Sequence, residues 1–190
     1  MAKFFGNLHL VLLVGLLLAA AVIIGYGNLP EGSAGLNQIF RWLHLFFGIV
    51  WIGLLYYFNF VQIPTMPKVP AELKPGVSKY IAPSALFFFR WGAVLTVVTG
   101  LIVAHLSGYL VEALTFVPGF ELIGIGMWLA LIMAFNVWVF IWPNQKKALG
   151  IVPADDAAKA KAATAAMMFS RTNVLLSIAM LYAMVAFNGG

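Results

Sequence analysis

The chain contains no cysteine. Disulfides, iron–sulfur clusters and thiolate metal sites are thereby excluded, and the redox compartment is left open. Charge is scarce too: charged residues make up 9% of the 190 residues, against roughly 25% in an ordinary soluble domain. Acidic residues are scarcest. Glu31, Glu72, Glu112, Glu121, Asp155 and Asp156 are all of them, and each falls in a connection or at the edge of an apolar run. The lack of carboxylates within those runs weakens any proton-pump or cation-channel reading. What fills the chain instead is apolar, with 63% hydrophobic residues and a mean hydropathy of +0.99. A chain this small leaves much of its surface in solvent, so lipid is the solvent that suits it. The net charge of +5 does not point to nucleic acid, because the basic residues do not form one patch.

Five apolar runs read as spans of a hydrocarbon core that is ~30 Å thick and needs about 20 helical residues. They are Leu8–Tyr26, 39–62, 83–106, 122–142 and 173–187. The first is longer than a signal-peptide core and no clear cleavage site follows it, so it is expected to be retained. The fold expected is a single all-α transmembrane domain over residues 1–190, a bundle of about five helices. The first connection, 27–38, holds Pro30 and Gly32, and the second, 64–81, holds four prolines and three lysines. The third, 107–120, has no Lys or Arg and is apolar enough to lie in the interface. In the fourth, residues 154–168 predict a surface helix or an extension of the fifth span. Asp155 and Asp156 stand near its start, where the helix dipole favours them. Lysine and arginine alternate by side: Lys3, then Lys68, Lys74 and Lys79, then Lys146, Lys147, Lys159, Lys161 and Arg171. The positive-inside rule then predicts a cytoplasmic N-terminus and an external C-terminus, in a bacterial-type inner membrane.

Polar groups within spans are costly and mark function or helix packing. Counted along their helices from Pro64 and Pro83, His44 and His105 lie ~30 Å and ~33 Å from the cytoplasmic side. They are therefore expected level with one another near the outer boundary, on antiparallel neighbours. Two neutral imidazoles so placed suit the axial positions of a b-type haem in a bundle core. Arg41 is one turn from His44 and suits a haem propionate. The plainer alternative is an interfacial ring bonded to backbone or water; His9, at the opposite side, reads that way. Met127, Met133, Met180 and Met184 could also ligate iron, although core filling is the commoner role of methionine. Glycines 48, 53, 92, 100, 124 and 126 suit close helix approach. A second polar set, Asn59, Gln62, Arg90, Asn136, Arg171 and Asn173, lies toward the cytoplasmic side. Arg90 cannot shed its proton. With no carboxylate in the spans, it must snorkel, bond amides such as those of Asn59 and Asn136, or hold an anion.

Several strings are more specific. Arg41-Trp42-Leu43-His44, Gly48-Ile49-Val50-Trp51-Ile52-Gly53 and Tyr57-Phe58-Asn59-Phe60-Val61-Gln62 resemble the membrane domain of the cytochrome-c-linked urate oxidase family. Ala85-Leu86-Phe87-Phe88-Phe89-Arg90-Trp91-Gly92, Phe135-Asn136-Val137-Trp138, Ile141-Trp142-Pro143-Asn144-Gln145-Lys146-Lys147 and Ser170-Arg171-Thr172-Asn173 extend the resemblance over about residues 37–188. The Trp-Leu-His and Trp-x-Gly spacings are more loosely similar to haem-binding membrane proteins such as the oxygen-independent type of protoporphyrinogen oxidase. The resemblance implies an electron-transfer role beside a c-type cytochrome on the outer face. Longer family members carry that cytochrome after the membrane part, whereas this sequence has no Cys-x-x-Cys-His. A urate oxidase-like activity is then implied by the resemblance alone, with no catalytic constellation in the sequence behind it. Two functions stand as expectations: a haem b-binding electron-transfer subunit working with a c-type cytochrome or a larger complex, and a haem-free structural subunit of a larger membrane enzyme. An enzyme acting near Arg90 ranks below both, because no nucleophile–base pair or metal cluster supports it.

Overall fold

The computed structural model describes residues 2–26 and 32–187, and these form helices and connections with no strand among them. After a four-residue helical turn, Ala2–Phe5, the helices in chain order are α1 (Leu8–Tyr26), α2 (Ser33–Lys68), α3 (Lys74–Leu106), the short α4 (Leu110–Leu114), α5 (Glu121–Ala148) and α6 (Asp156–Phe187). All but α4 are long and apolar enough to cross a membrane, which makes the chain an all-α, multi-pass membrane protein. The first connection's Gly27, Pro30 and Glu31 lie outside the described residues, as does the side chain of Lys3.

The spans expected to end at 62, begin at 83 and end at 142 instead run on through Pro64, Pro83 and Pro143. A proline inside a helix lacks an N–H, and its ring collides with the carbonyl four residues back. Those carbonyls belong to Phe60, Lys79 and Val139. Each lies in a π-helical segment, Tyr57–Gln62, Val77–Ile81 or Val137–Ile141. The wider π turn accommodates the ring without breaking the helix. At the fourth connection, the expected surface helix and the fifth span are one continuous helix.

The antiparallel helices α2 and α3 form one close pair. A Cβ on Gly92 would meet the Trp51 backbone nitrogen at 3.3 Å, so the backbones touch there. Asn37 Nδ2 donates to Ser107 Oγ at 2.7 Å and fastens the far end of the same pair. The second pair is α5 with α6. Gly126 lies against Ala183, and Asn136 Nδ2 donates to Asn173 Oδ1 at 2.7 Å. Asn173 is fully buried and donates in turn to the Met133 carbonyl at 3.1 Å. The two pairs join at the half that carries the lysines. There Asn59 Nδ2 donates to Ser170 Oγ at 2.8 Å, and the Tyr56 hydroxyl meets Ser177 Oγ at 3.0 Å. The core beside these ties holds Trp51, Leu55, Phe89, Met133, Val137 and Ile141. No residue of α1 is buried. Its sequence is apolar on every side, so lipid satisfies it without a partner.

Interhelical hydrogen bonds in membranes contribute up to ~1–2 kcal/mol each. Asn173→Ala removes two and leaves Asn136 Nδ2 with only the Phe169 carbonyl. It is expected to lower stability by about 1–2 kcal/mol, read as a shifted midpoint when SDS is titrated into micelles. Thr172→Ala, which removes only a bond within α6, serves as the control and should leave the midpoint in place.

Candidate functional site

In the half away from the lysines, the two helix pairs enclose a cavity of about 1020 Å³. That is at the upper end of the ~300–1,000 Å³ typical of ligand pockets. Its walls come from α2, α3, α5 and α6, and residues from Tyr109 onward close its end. Trp128 Nε1 donates to the Leu114 carbonyl at 3.0 Å, which holds that closing segment against α5. Gly124 serves the same contact, because a Cβ there would run into the Ala113 carbonyl. The mouth is rimmed by exposed apolar side chains, including Leu45, Ile49 and Val185.

His44 is the one histidine among the described residues that lines this cavity. Its Nδ1 lies 2.8 Å from the Thr96 carbonyl oxygen on α3. A carbonyl can only accept, so Nδ1 carries the proton, and in the neutral ring the lone pair belongs to Nε2. Nε2 has no hydrogen-bond partner among the described residues. Metal-ligating imidazoles are held in this way, with one ring nitrogen anchored by a backbone carbonyl and the other left free. The seat is shaped for the ring. A Cβ on Gly100 would come within 2.7 Å of His44 Cε1 and 2.9 Å of Nδ1. On the opposite wall stand Met127 from α5 and Met180 from α6, both buried.

At the rim, Arg41 Nη2 reaches Asn37 Oδ1 at 3.5 Å and has no carboxylate partner among the described residues. Tyr109 lies beside it, outside the spans. Burial pushes the phenol pKa up, while the Arg41 charge and a hydrogen bond with Ser107 offset part of that rise. The rim therefore offers a guanidinium and a protonated hydroxyl, both donors to a carboxylate. One anchored imidazole, an apolar cavity and two carboxylate donors at its edge form a donor set that fits a haem with its propionates. No group of three or more His, Asp or Glu side chains placed to hold a metal ion is found among the described residues.

His105 is not brought to this site. It is exposed and does not line the cavity. His44 is level with Thr96 and Gly100, whereas His105 lies five residues past Gly100, about 7 Å further along the axis. The packed stripe of α3 runs through Gly92, Thr96, Thr99, Val103 and Ala104, and position 105 falls off it. The two histidines therefore do not face one another, and the level pair expected from the sequence is not formed. His9 is exposed on α1.

The second polar set is also divided. Asn59 and Asn136 are buried and serve as ties to α6, while Arg171 is exposed. Arg90 is buried at 9% exposure, with its guanidinium carbon 3.4 Å from the centre of the Trp142 ring. Thr96 and Gly100 were not singled out with His44 by the sequence. The signal that could have found them is the spacing of small and hydroxyl residues along one face of α3. No family model, curated protein or solved structure matches the chain.

Gly100→Ala would force the His44 ring off the Thr96 carbonyl. Overpacking of this kind costs about 1–3 kcal/mol, so the thermal midpoint of the purified protein should fall. Gly53→Ala, also on the cavity wall but with nothing within 4 Å of the added Cβ, should leave it unchanged.

Proposed function

We propose that this chain is a small membrane subunit that holds haem b in the cavity between its two helix pairs and works with a c-type cytochrome or a larger respiratory-type complex. The observation that carries the reading is the His44 imidazole, anchored through Nδ1 to the Thr96 carbonyl and presenting Nε2 in an apolar cavity. His44 would hold the iron from the α2 side. Met127 and Met180, buried on the α5 and α6 walls of the same cavity, would present thioethers to the bound group. Arg41 and Tyr109 would orient the propionates at the rim. When bound, the haem would supply a one-electron carrier. Placing the cavity toward the outer face, beside an external cytochrome, rests on the lysine distribution and the positive-inside rule. The resemblance to the urate oxidase membrane domain agrees with this partner class, and no catalytic constellation supports urate oxidation here.

The rival reading, a haem-free structural subunit, draws on α1, none of whose residues is buried, leaving a whole span open to another subunit. One measurement separates the two: a reduced-minus-oxidised spectrum of protein purified from haem-replete cells. The wild-type chain should show b-type absorption. His44→Ala should abolish it, and His105→Ala should leave at least most of it. A colourless wild-type chain, joined with the collapse of a larger complex when the chain is deleted, would establish the rival.

A further inference from the structure

The half of the bundle that carries the lysines holds a different feature. Among the described residues, with Trp51 Nε1 apart, the buried side-chain nitrogens and oxygens without a partner lie there: Asn59 Oδ1, Gln62 Oε1, Arg90 Nη1, Asn136 Oδ1, Trp138 Nε1 and Gln145 Oε1. Buried polar atoms are rarely left unpaired, and each unpaired one calls for a ligand, an ion or a water. The cations are the most demanding. The Arg90 guanidinium stacks on Trp142 at 3.4 Å, and Lys146 Nζ lies 5.6 Å from the centre of the same ring. Two positive charges thus converge on one indole. Neither has an anionic partner among the described residues, where the sole ion pair is Lys159 with Asp156. A cation–π contact stabilises a desolvated cation, but it supplies no counter-charge.

We infer that Arg90 and Lys146, assembled on the Trp142 ring, bind a phosphate-type oxyanion, either the headgroup phosphate of a phospholipid or inorganic phosphate. The guanidinium carbon lies 3.4 Å from the ring centre and Nη1 has no partner, which leaves N–H donors for a phosphate oxygen, the acceptor that a guanidinium fork matches. Lys146 adds a second positive charge one helical turn, about 5 Å, beyond Trp142. The depth suits a headgroup, since Trp142 with Lys146 and Lys147 marks the aromatic and basic girdle of an interface. The π segment Val137–Ile141 ends directly before Trp142, and Pro143 follows it. The site is thus formed by α5, which carries Trp142 and Lys146, as well as by α3, which carries Arg90. The site is separate from the His44 cavity: neither Arg90, Trp142 nor Lys146 lines it. The inference therefore does not depend on haem being bound.

The test uses the full chain in two arms. In the first, protein from phosphatidylcholine–phosphatidylglycerol bilayers is washed stepwise in detergent, and retained lipid is counted by native mass spectrometry. In the second, the fully delipidated protein is titrated with inorganic phosphate by calorimetry. Retention of one phospholipid by the wild-type chain identifies the headgroup as the source. Saturable 1:1 phosphate binding without lipid retention identifies the free ion. In the arm that responds, Arg90→Gln should weaken binding at least tenfold and Lys146→Gln several-fold, while Arg171→Gln, at an exposed position, should have no effect. Arg90→Lys keeps a cation in place but loses the fork. It should also weaken binding, and it provides the reading if Arg90→Gln does not fold. The proposal is overturned if neither probe binds the wild-type chain, or if Arg90→Lys and Lys146→Gln bind as the wild type does.

Discussion

Lipid offers no hydrogen bonds, so every polar group in this bundle must find its partner in the protein or at the membrane boundary. The chain meets this constraint unevenly. Asn59, Asn136, Asn173, Ser170, Ser177 and Tyr56 spend their hydrogen bonds in one half, where they tie the α2–α3 pair to the α5–α6 pair. Among the described residues, the opposite half has no comparable set of ties between the pairs. There the pairs stand apart around the His44 cavity. Tight joining at one end and open space at the other are thus two results of where a few amides and hydroxyls were placed.

That asymmetry separates two kinds of chemistry. The cavity is apolar, with one anchored imidazole and donors at its rim, which suits a large hydrophobic cofactor carrying carboxylates. The lysine-bearing half is crowded and positively charged, with an arginine and a lysine on one indole. The π segments before Pro64, Pro83 and Pro143 belong to this second half. They let prolines sit inside long helices, and the contacts of Trp142 with Arg90 and of Asn59 with Ser170 lie close to them.

The spans were legible in the letters because length and hydropathy carry them directly. Their ends were not, because each proline was met by a widened turn that no local pattern announces. The same cause undid the expected histidine pair. Depth counted from Pro64 and Pro83 treats those residues as level helix ends, yet both lie inside helices that continue. Rotation mattered as much as depth: Thr96 and Gly100 fall on the packed stripe of α3, and His105 does not. Arg90 stood out in the sequence for lacking a carboxylate. Its indole platform could not be foreseen, since Trp142 is more than fifty positions away and reads as an ordinary interfacial aromatic.

Composition pointed to the medium, and the order and length of the apolar runs determined the helical class and the number of spans, because a run of about 20 apolar residues crosses hydrocarbon with its backbone paired within one helix, whereas barrel strands are half as long and alternate. It also determined that any buried cation would lack a carboxylate in the spans. Only the tertiary structure decided which histidine faces the cavity, which glycine seats it, and which arginine and lysine share an aromatic ring. Those outcomes depend on the relative rotation and register of antiparallel helices, which are settled by contacts between residues distant in sequence.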